Sequence, residues 1–221
     1  PFNGVAGRRL GGSLTGRTLL ALLALPDHDL ARTAVMALLT SGAILGLDGL
    51  PVPVTAWERL ARDAGVVADI DQWGQRLNRY MADQDDRLTK LQAEGADPTR
   101  LRGPRERTAR AGDLLAFVRQ LADDLDPEQR PTDWPGLTHW ATGLLDRYLG
   151  SPTDRADWPP EEADAHTRVG DLLRNLAGLG TIEAAPGLAN FRRAVADGLD
   201  REVDREGRFG NGVFVGGFGA T

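Results

Sequence analysis

A chain of 221 residues with no cysteine and a formal net charge of −6 excludes several classes at the outset. Without thiols there is no disulfide framework, no thiolate metal site and no cysteine nucleophile. The acidic balance argues against a dedicated nucleic-acid binder but leaves room for a local basic strip.

The length suffices for one large domain that buries roughly 70% of its unfolded surface. No apolar run approaches the roughly 18 residues of a membrane span, so no membrane partner is expected. The chain opens Pro1-Phe2-Asn3-Gly4, neither a start methionine nor a signal peptide. This reads as a cytoplasmic protein whose sequence begins inside a longer open reading frame. Lys90 is the only lysine among 26 basic residues, which together with abundant Ala, Gly, Asp and Leu reads as a GC-rich genome.

Helical periodicity dominates in chain order. Leu19, Leu20, Leu22, Leu23 and Leu25 predict a short apolar helix ended by Pro26-Asp27. Leu30, Val35, Met36, Leu38 and Leu39 predict a second, capped by Asp27 or Asp29. Residues 41–53 form a Gly/Pro connector. Thr55-Ala56-Trp57-Glu58 has the spacing of a capping box and opens a helix that stops at Gly65. A longer helix over about 71–94 carries the stripe Trp73, Leu77, Tyr80, Met81, Leu88 and Leu91, with charge on its other face. Residues 95–104 predict a break. The next helix, about 105–125, buries Leu114, Leu115, Val118, Leu121 and Leu125. After a polar linker, 134–149 is amphipathic through Leu137, Trp140, Leu144, Leu145 and Tyr148, and ends at Gly150. Pro159-Pro160-Glu161-Glu162 starts another helix, with proline in the first turn and acids at its positive end. A last helix carries Phe191, Val195, Leu199 and Val203. The texture then changes: 207–212 reads as a turn and Val213-Phe214-Val215 as a short strand, with Phe2 to Val5 as its possible neighbour.

Five patterns bear on chemistry. Gly11-Gly12-Ser13-Leu14-Thr15-Gly16-Arg17-Thr18 fits a phosphate-loop spacing except that Arg17 replaces lysine. A working loop needs a strand before it and a compact ammonium between the phosphates. Val5 to Leu10 makes a poor core strand, so the reading is a glycine-rich lead into a helix. A restriction-type nuclease centre needs a lysine two residues after an acid. Position 88, two before Lys90, is leucine, so none is expected. His28, flanked by Asp27 and Asp29, points away from both, and Glu162 with His166 gives a two-residue pair without a third ligand. No Gly-x-Ser-x-Gly elbow is present. Arg100, Arg102, Arg105, Arg107 and Arg110, against the single acid Glu106, give a net +4 over eleven residues. Arginine forks suit phosphate. The alternative is a solvated helix start paired to nearby acids.

A resemblance organises these features. Gly16-Arg17-Thr18-Leu19-Leu20-Ala21-Leu22-Leu23-Ala24-Leu25-Pro26-Asp27-His28-Asp29 resembles the helix that leads into the second core domain of UvrD/Rep-type superfamily I helicases. Trp57-Glu58-Arg59-Leu60, Ala64 to Val67 and Trp73 to Leu77 resemble the helical insert of the AddB-like branch of actinobacterial helicase–nucleases. Gly207 to Gly216 resembles the return strand into the core domain. In active helicases that strand leads into a Thr-x-His-x-x-Lys-Gly segment that senses ATP. Here Gly216-Gly217-Phe218-Gly219-Ala220-Thr221 follows, as in subunits of this kind with degenerate ATPase motifs.

The resemblance implies a fold that is all-α, of about eight helices, with a minor β element made by the two ends. Residues 1–40 would come from the second core domain, 41–206 would form the accessory domain, and 207–221 would return toward the core. The ends should lie near each other, as an inserted domain requires. The implied function is a non-catalytic accessory domain of a helicase/exonuclease subunit in double-strand-break processing and recombinational repair. Its partners would be duplex DNA, bound weakly through the parent protein, and a second helicase–nuclease subunit. ATP and Mg²⁺ would act only elsewhere in that complex, with no catalytic, cofactor or metal residue in this chain. The other reading is a free-standing helical protein–protein interaction module.

Overall fold

The structure is a computed structural model that describes residues 2–4, 9–181, 185–200 and 213–215, the first and last of these as backbone only. Eight α-helices appear among the described residues: α1 (Leu14–Ala24), α2 (Arg32–Ser41), α3 (Val54–Asp63), α4 (Ile70–Ala93), α5 (Pro98–Asp124), α6 (Trp134–Leu149), α7 (Pro160–Ala177) and α8 (Gly187–Asp200). One hydrophobic core runs through them all. None is long and apolar enough to cross a membrane.

The helices divide into a bundle and a hairpin. In the bundle, α1 packs against α2, α6, α7 and α8, because Leu19, Leu22 and Leu23 are wholly buried on its inner side. Phe191, Val195 and Leu199 of α8, spaced at four residues, are also fully buried. Arg192 of α8 pairs with Asp27, and Arg9 with Asp200 at 2.6 Å.

The hairpin is α4 against α5, antiparallel. Gly74 lies beside Arg119, Gly112 beside Met81, and Thr108 donates to Asp85 at 3.2 Å. At about 1.5 Å per residue, these helices of 24 and 27 residues are the longest among the described residues. Their distal halves are mostly exposed. The base of α4 is fixed to the α1–α2 junction. Asp29 and Leu30 both take positive φ (48° and 49°), which turns their carbonyls toward α4. Trp73 Nε1 donates to the Leu30 carbonyl at 2.8 Å and the Asp69 N–H to that of Asp29 at 2.8 Å. The base of α5 is tied to α6 through Asp124. It accepts from the Tyr148 hydroxyl at 2.8 Å and pairs with Arg147 at 3.0 Å. Burial, with Asp124 adding to it, pushes the Tyr148 hydroxyl well above its ordinary range.

Four expectations need correction. The minor β element is the first: the fold class is all-α. The backbones of Phe2–Gly4 and Val213–Val215 lie side by side and parallel, Phe2 opposite Val213. A ladder of three residues is shorter than the roughly five to six of an ordinary strand. It offers no sheet face for helices to cover, so it adds no β layer to the domain. Second, 95–104 is not a break. Only Gly95, at φ 65°, and its neighbours turn the chain. Asp97 then caps α5 by accepting from the Thr99 N–H at 2.8 Å, with Pro98 in the first turn. The helix runs straight through the buried Pro104, whose cost is one missing intrahelical hydrogen bond. Third, the capping box at Thr55 does not form. α3 begins one residue earlier, at Val54, and Pro53 at its start makes no side-chain cap. Fourth, neither Asp27 nor Asp29 caps α2. Asp27 lies in the 3-10 turn Leu25–His28, and α2 starts after Ala31 without a side-chain cap. Val203 and the expected turn at 207–212 lie outside the described residues.

Candidate nucleic-acid interface

The glycine-rich segment before α1 is built as a packed helix start. A 3-10 turn, Leu10–Gly12, precedes α1 where a phosphate loop would need a strand. Ser13 caps the helix: its Oγ accepts from Gly16 N–H at 3.0 Å and donates to the Leu10 carbonyl at 2.6 Å. The Leu14 N–H donates to the Glu162 carboxylate at 2.8 Å. Arg17 is turned onto the Gly12 and Ser41 carbonyls, at 3.0 and 3.2 Å. Thr18 is fully buried, 3.2 Å from the Ser41 hydroxyl. The carboxylate of Glu162 thus sits at the helix N-terminus where a phosphate would be drawn. Calorimetry with ATP and Mg²⁺ is expected to give no heat of binding. Low-micromolar binding lost in Arg17→Ala would overturn this.

The Glu162 and His166 pair serves the same junction. His166 Nδ1 lies 3.2 Å from the Thr15 hydroxyl, and its ring stands edge-on to Trp158 at 5.9 Å. No metal-holding group of His, Asp and Glu exists among the described residues. Burial and the nearby Arg155 guanidinium hold the His166 imidazole below its usual 6.5, against an opposing pull from Asp146. A lowered folded value means that the unfolded chain takes up the proton first as pH falls. Stability is therefore full above about pH 6.5 and declines as pH falls through the folded value. Unfolding free energies measured from about pH 7.5 down to 5 should show this decline, and His166→Gln should flatten it. An unchanged slope in the variant would assign the decline to other groups.

The five arginines of α5 do not lie on one face. At about 100° per residue, Arg100, Arg107 and Arg110 share one side, and Arg102 and Arg105 face the other way. All five are exposed. Glu106 holds Arg102 at 2.6 Å and reaches Arg110 at 3.5 Å.

Arg107 and Arg110 open onto a cleft of about 510 Å³ between α3, α4 and α5. Arg59 from α3 and Arg87 from α4 converge on the same space, so four arginines face the single carboxylate Asp63. Helical spacing explains the convergence. Arg59 and Asp63 are one turn apart on α3. Tyr80, Gln84 and Arg87 lie at i, i+4 and i+7 on α4, and Arg107 and Arg110 at i, i+3 on α5. Arg59, Arg87 and Arg107 make no ion pair with any described residue. Four like charges gathered this way repel one another and raise the local potential for an anion. Beneath them Gln84 is only 8% exposed, and its Oε1 has no hydrogen-bond partner. A buried acceptor left unmade costs about 1–3 kcal/mol, which a guest donor would recover.

Of the five sequence candidates, the cleft therefore recruits Arg107 and Arg110 and leaves Arg100, Arg102 and Arg105 outside it. Sequence reasoning missed Arg59 and Arg87. The available signal was an arginine beside each apolar stripe, Arg59 next to Leu60 and Arg87 next to Leu88. Comparison with family models, with curated proteins and with solved structures finds no match for this chain. The geometry alone defines the class: among the described residues, an all-helical domain with an arginine-rich cleft.

Proposed function

We propose that this chain is a non-catalytic helical accessory domain that holds DNA phosphates in the cleft of Arg59, Arg87, Arg107 and Arg110. The carrying observation is the convergence of arginines from three helices, three of them without an ion-pair partner among the described residues. Charge-assisted contacts to phosphate complete the donor forks that the protein leaves open. The resemblance of 1–40 and 207–216 to a UvrD/Rep-type core, and of the middle to an AddB-like insert, supplies the context. In that context the domain belongs to a cytoplasmic helicase–nuclease subunit in double-strand-break repair, works beside a second subunit, and leaves ATP, Mg²⁺ and strand cleavage to other parts.

Binding by the 221-residue chain should be weak, because a net charge of −6 opposes the phosphates, and it should fade with salt. Each arginine contact removed should flatten the plot of log K against log salt by about 0.7–0.9. Arg107→Ala is expected to do this. Arg105→Ala, on the opposite side of α5, is expected to leave affinity and slope alone. If no salt-dependent binding is detected at low ionic strength, the proposal falls.

One observation favours the interaction-module reading instead. Leu47 and Leu50, on the connector between α2 and α3, are 59% and 63% exposed. They border a second cleft of about 370 Å³ lined by Trp57, whose Nε1 is buried without a partner. A protein partner seated there would be held by apolar contact and would survive the salt that removes DNA.

A further inference from the structure

The arginine cleft, at about 510 Å³, is too small to take in a double helix. A duplex presents its phosphates along an outer ridge and keeps its bases stacked inside. The cleft is a recess of about 510 Å³, within the roughly 300–1,000 Å³ range of pockets that enclose a small molecule. That is the size of a nucleotide unit rather than of a double helix.

Its lining also contains more than charge. Tyr80, half-buried on α4, also lines the cleft, and its hydroxyl makes no hydrogen bond with a described residue. Gln84 follows one turn later with its unpartnered, buried Oε1. Cationic side chains for the backbone, an aromatic ring for a base and an amide for a base edge form the equipment of single-strand recognition. A base inside a duplex can reach neither Tyr80 nor Gln84.

We infer that the cleft between α3, α4 and α5 takes an unpaired segment of single-stranded DNA. Its phosphates lie against Arg59, Arg87, Arg107 and Arg110, one base stacks on Tyr80, and the amide of Gln84 meets that base's edge. This rests on the phosphate reading above and narrows it to the unpaired strand. The preference is independent of base identity, since every base offers a π-face while one amide cannot tell all four apart.

The test uses the 221-residue chain and two fluorescein-labelled probes carrying equal numbers of phosphates, an oligothymidine and a blunt duplex. Anisotropy titrations are run at the same low salt. The single strand is expected to bind about tenfold more tightly than the duplex, the share one stacked base contributes. Tyr80→Ala should remove that advantage and leave duplex affinity unchanged. Tyr80→Phe, which keeps the ring, should retain it. Arg87→Ala should weaken the single strand with a flatter salt slope. Thermal melting confirms that each variant is folded, and the wild-type ratio and Arg87→Ala stay decisive if Tyr80→Ala melts early. Equal affinity for the two probes, or equal losses on both in Tyr80→Ala, overturns the single-strand assignment while the phosphate reading stands. Failure of both probes to bind overturns the phosphate reading and this inference with it.

Discussion

Phe117→Ala is expected to destabilise the domain by about 3–5 kcal/mol, the usual cost of emptying a buried phenylalanine site. The residue is 1% exposed. Its ring sits 5.2 Å from that of Trp57 on α3 and 5.7 Å from that of Tyr148 on α6, tilted by 52° and edge-on at 71°. Each such pair contributes beyond its buried area, about 0.5–1.5 kcal/mol. Removing the ring therefore loosens three helices at one point. Against a total stability of about 5–15 kcal/mol, the loss should lower the melting temperature by roughly 10 °C or more. Denaturant unfolding gives the free energy directly, and a change below about 1 kcal/mol would show that the cluster is not a structural hub. Phe117→Leu, which keeps most of the volume, should lose much less. The site also bears on the proposed function. α5 forms one wall of the arginine cleft and α3 another, and Phe117 with Trp57 sets the distance between them. If the cleft holds DNA as proposed, its affinity should therefore fall in Phe117→Ala even under conditions where the variant remains folded.

The bundle was legible because its helices repeat one pattern. In α6 the expected Leu137, Leu144, Leu145 and Tyr148 are buried, and in α8 so are Phe191, Val195 and Leu199, since each stripe faces one continuous core. The hairpin was legible only near its base. Trp73 and Leu77 are fully buried, whereas Met81, Leu88 and Leu91 are only partly covered. Distally, α4 has α5 alone to pack on. The start of α5 was misplaced for a local reason. Proline six residues past the start of a helix ordinarily reads as a stop, and here capping by Asp97 outweighs one lost hydrogen bond. The failed caps at Asp27 and Asp29 have a different cause. Tertiary bonds, such as Asp69 N–H to the Asp29 carbonyl and Trp73 to the Leu30 carbonyl, set the chain direction there before side-chain caps can act. The cleft was legible only in part because it belongs to no single segment. Arg107 and Arg110 stood out within a run of arginines, but Arg59 and Arg87 each stand alone in sequence. Only the packing of α3 and α4 on α5 brings them to that run.

Gly16→Ala should be the most damaging glycine substitution in the segment that resembles a phosphate loop. In an ordinary helix interior the change is favourable by about 0.5–1 kcal/mol. Here a Cβ on Gly16 would lie 2.1 Å from the Leu10 carbonyl oxygen and 2.9 Å from its carbon. Both are backbone atoms of the 3-10 turn, and that oxygen also accepts the Ser13 hydroxyl at 2.6 Å. Relief requires the turn to move off the helix start, which breaks the Ser13 cap, worth about 1 kcal/mol, and adds overpacking strain of about 1–3 kcal/mol. The expected loss is about 2–4 kcal/mol, measured by unfolding in the absence of nucleotide. Gly12→Ala supplies the contrast. Nothing lies within 4 Å of a Cβ there, so its stability should stay within about 0.5 kcal/mol of the parent. In a working phosphate loop both glycines would serve close approach to the ligand, and neither substitution need unfold the empty protein. Equal destabilisation by the two, or none by either, would contradict the packing account. A large loss confined to Gly16→Ala would identify this glycine as the one that lets the Leu10–Gly12 turn close onto α1.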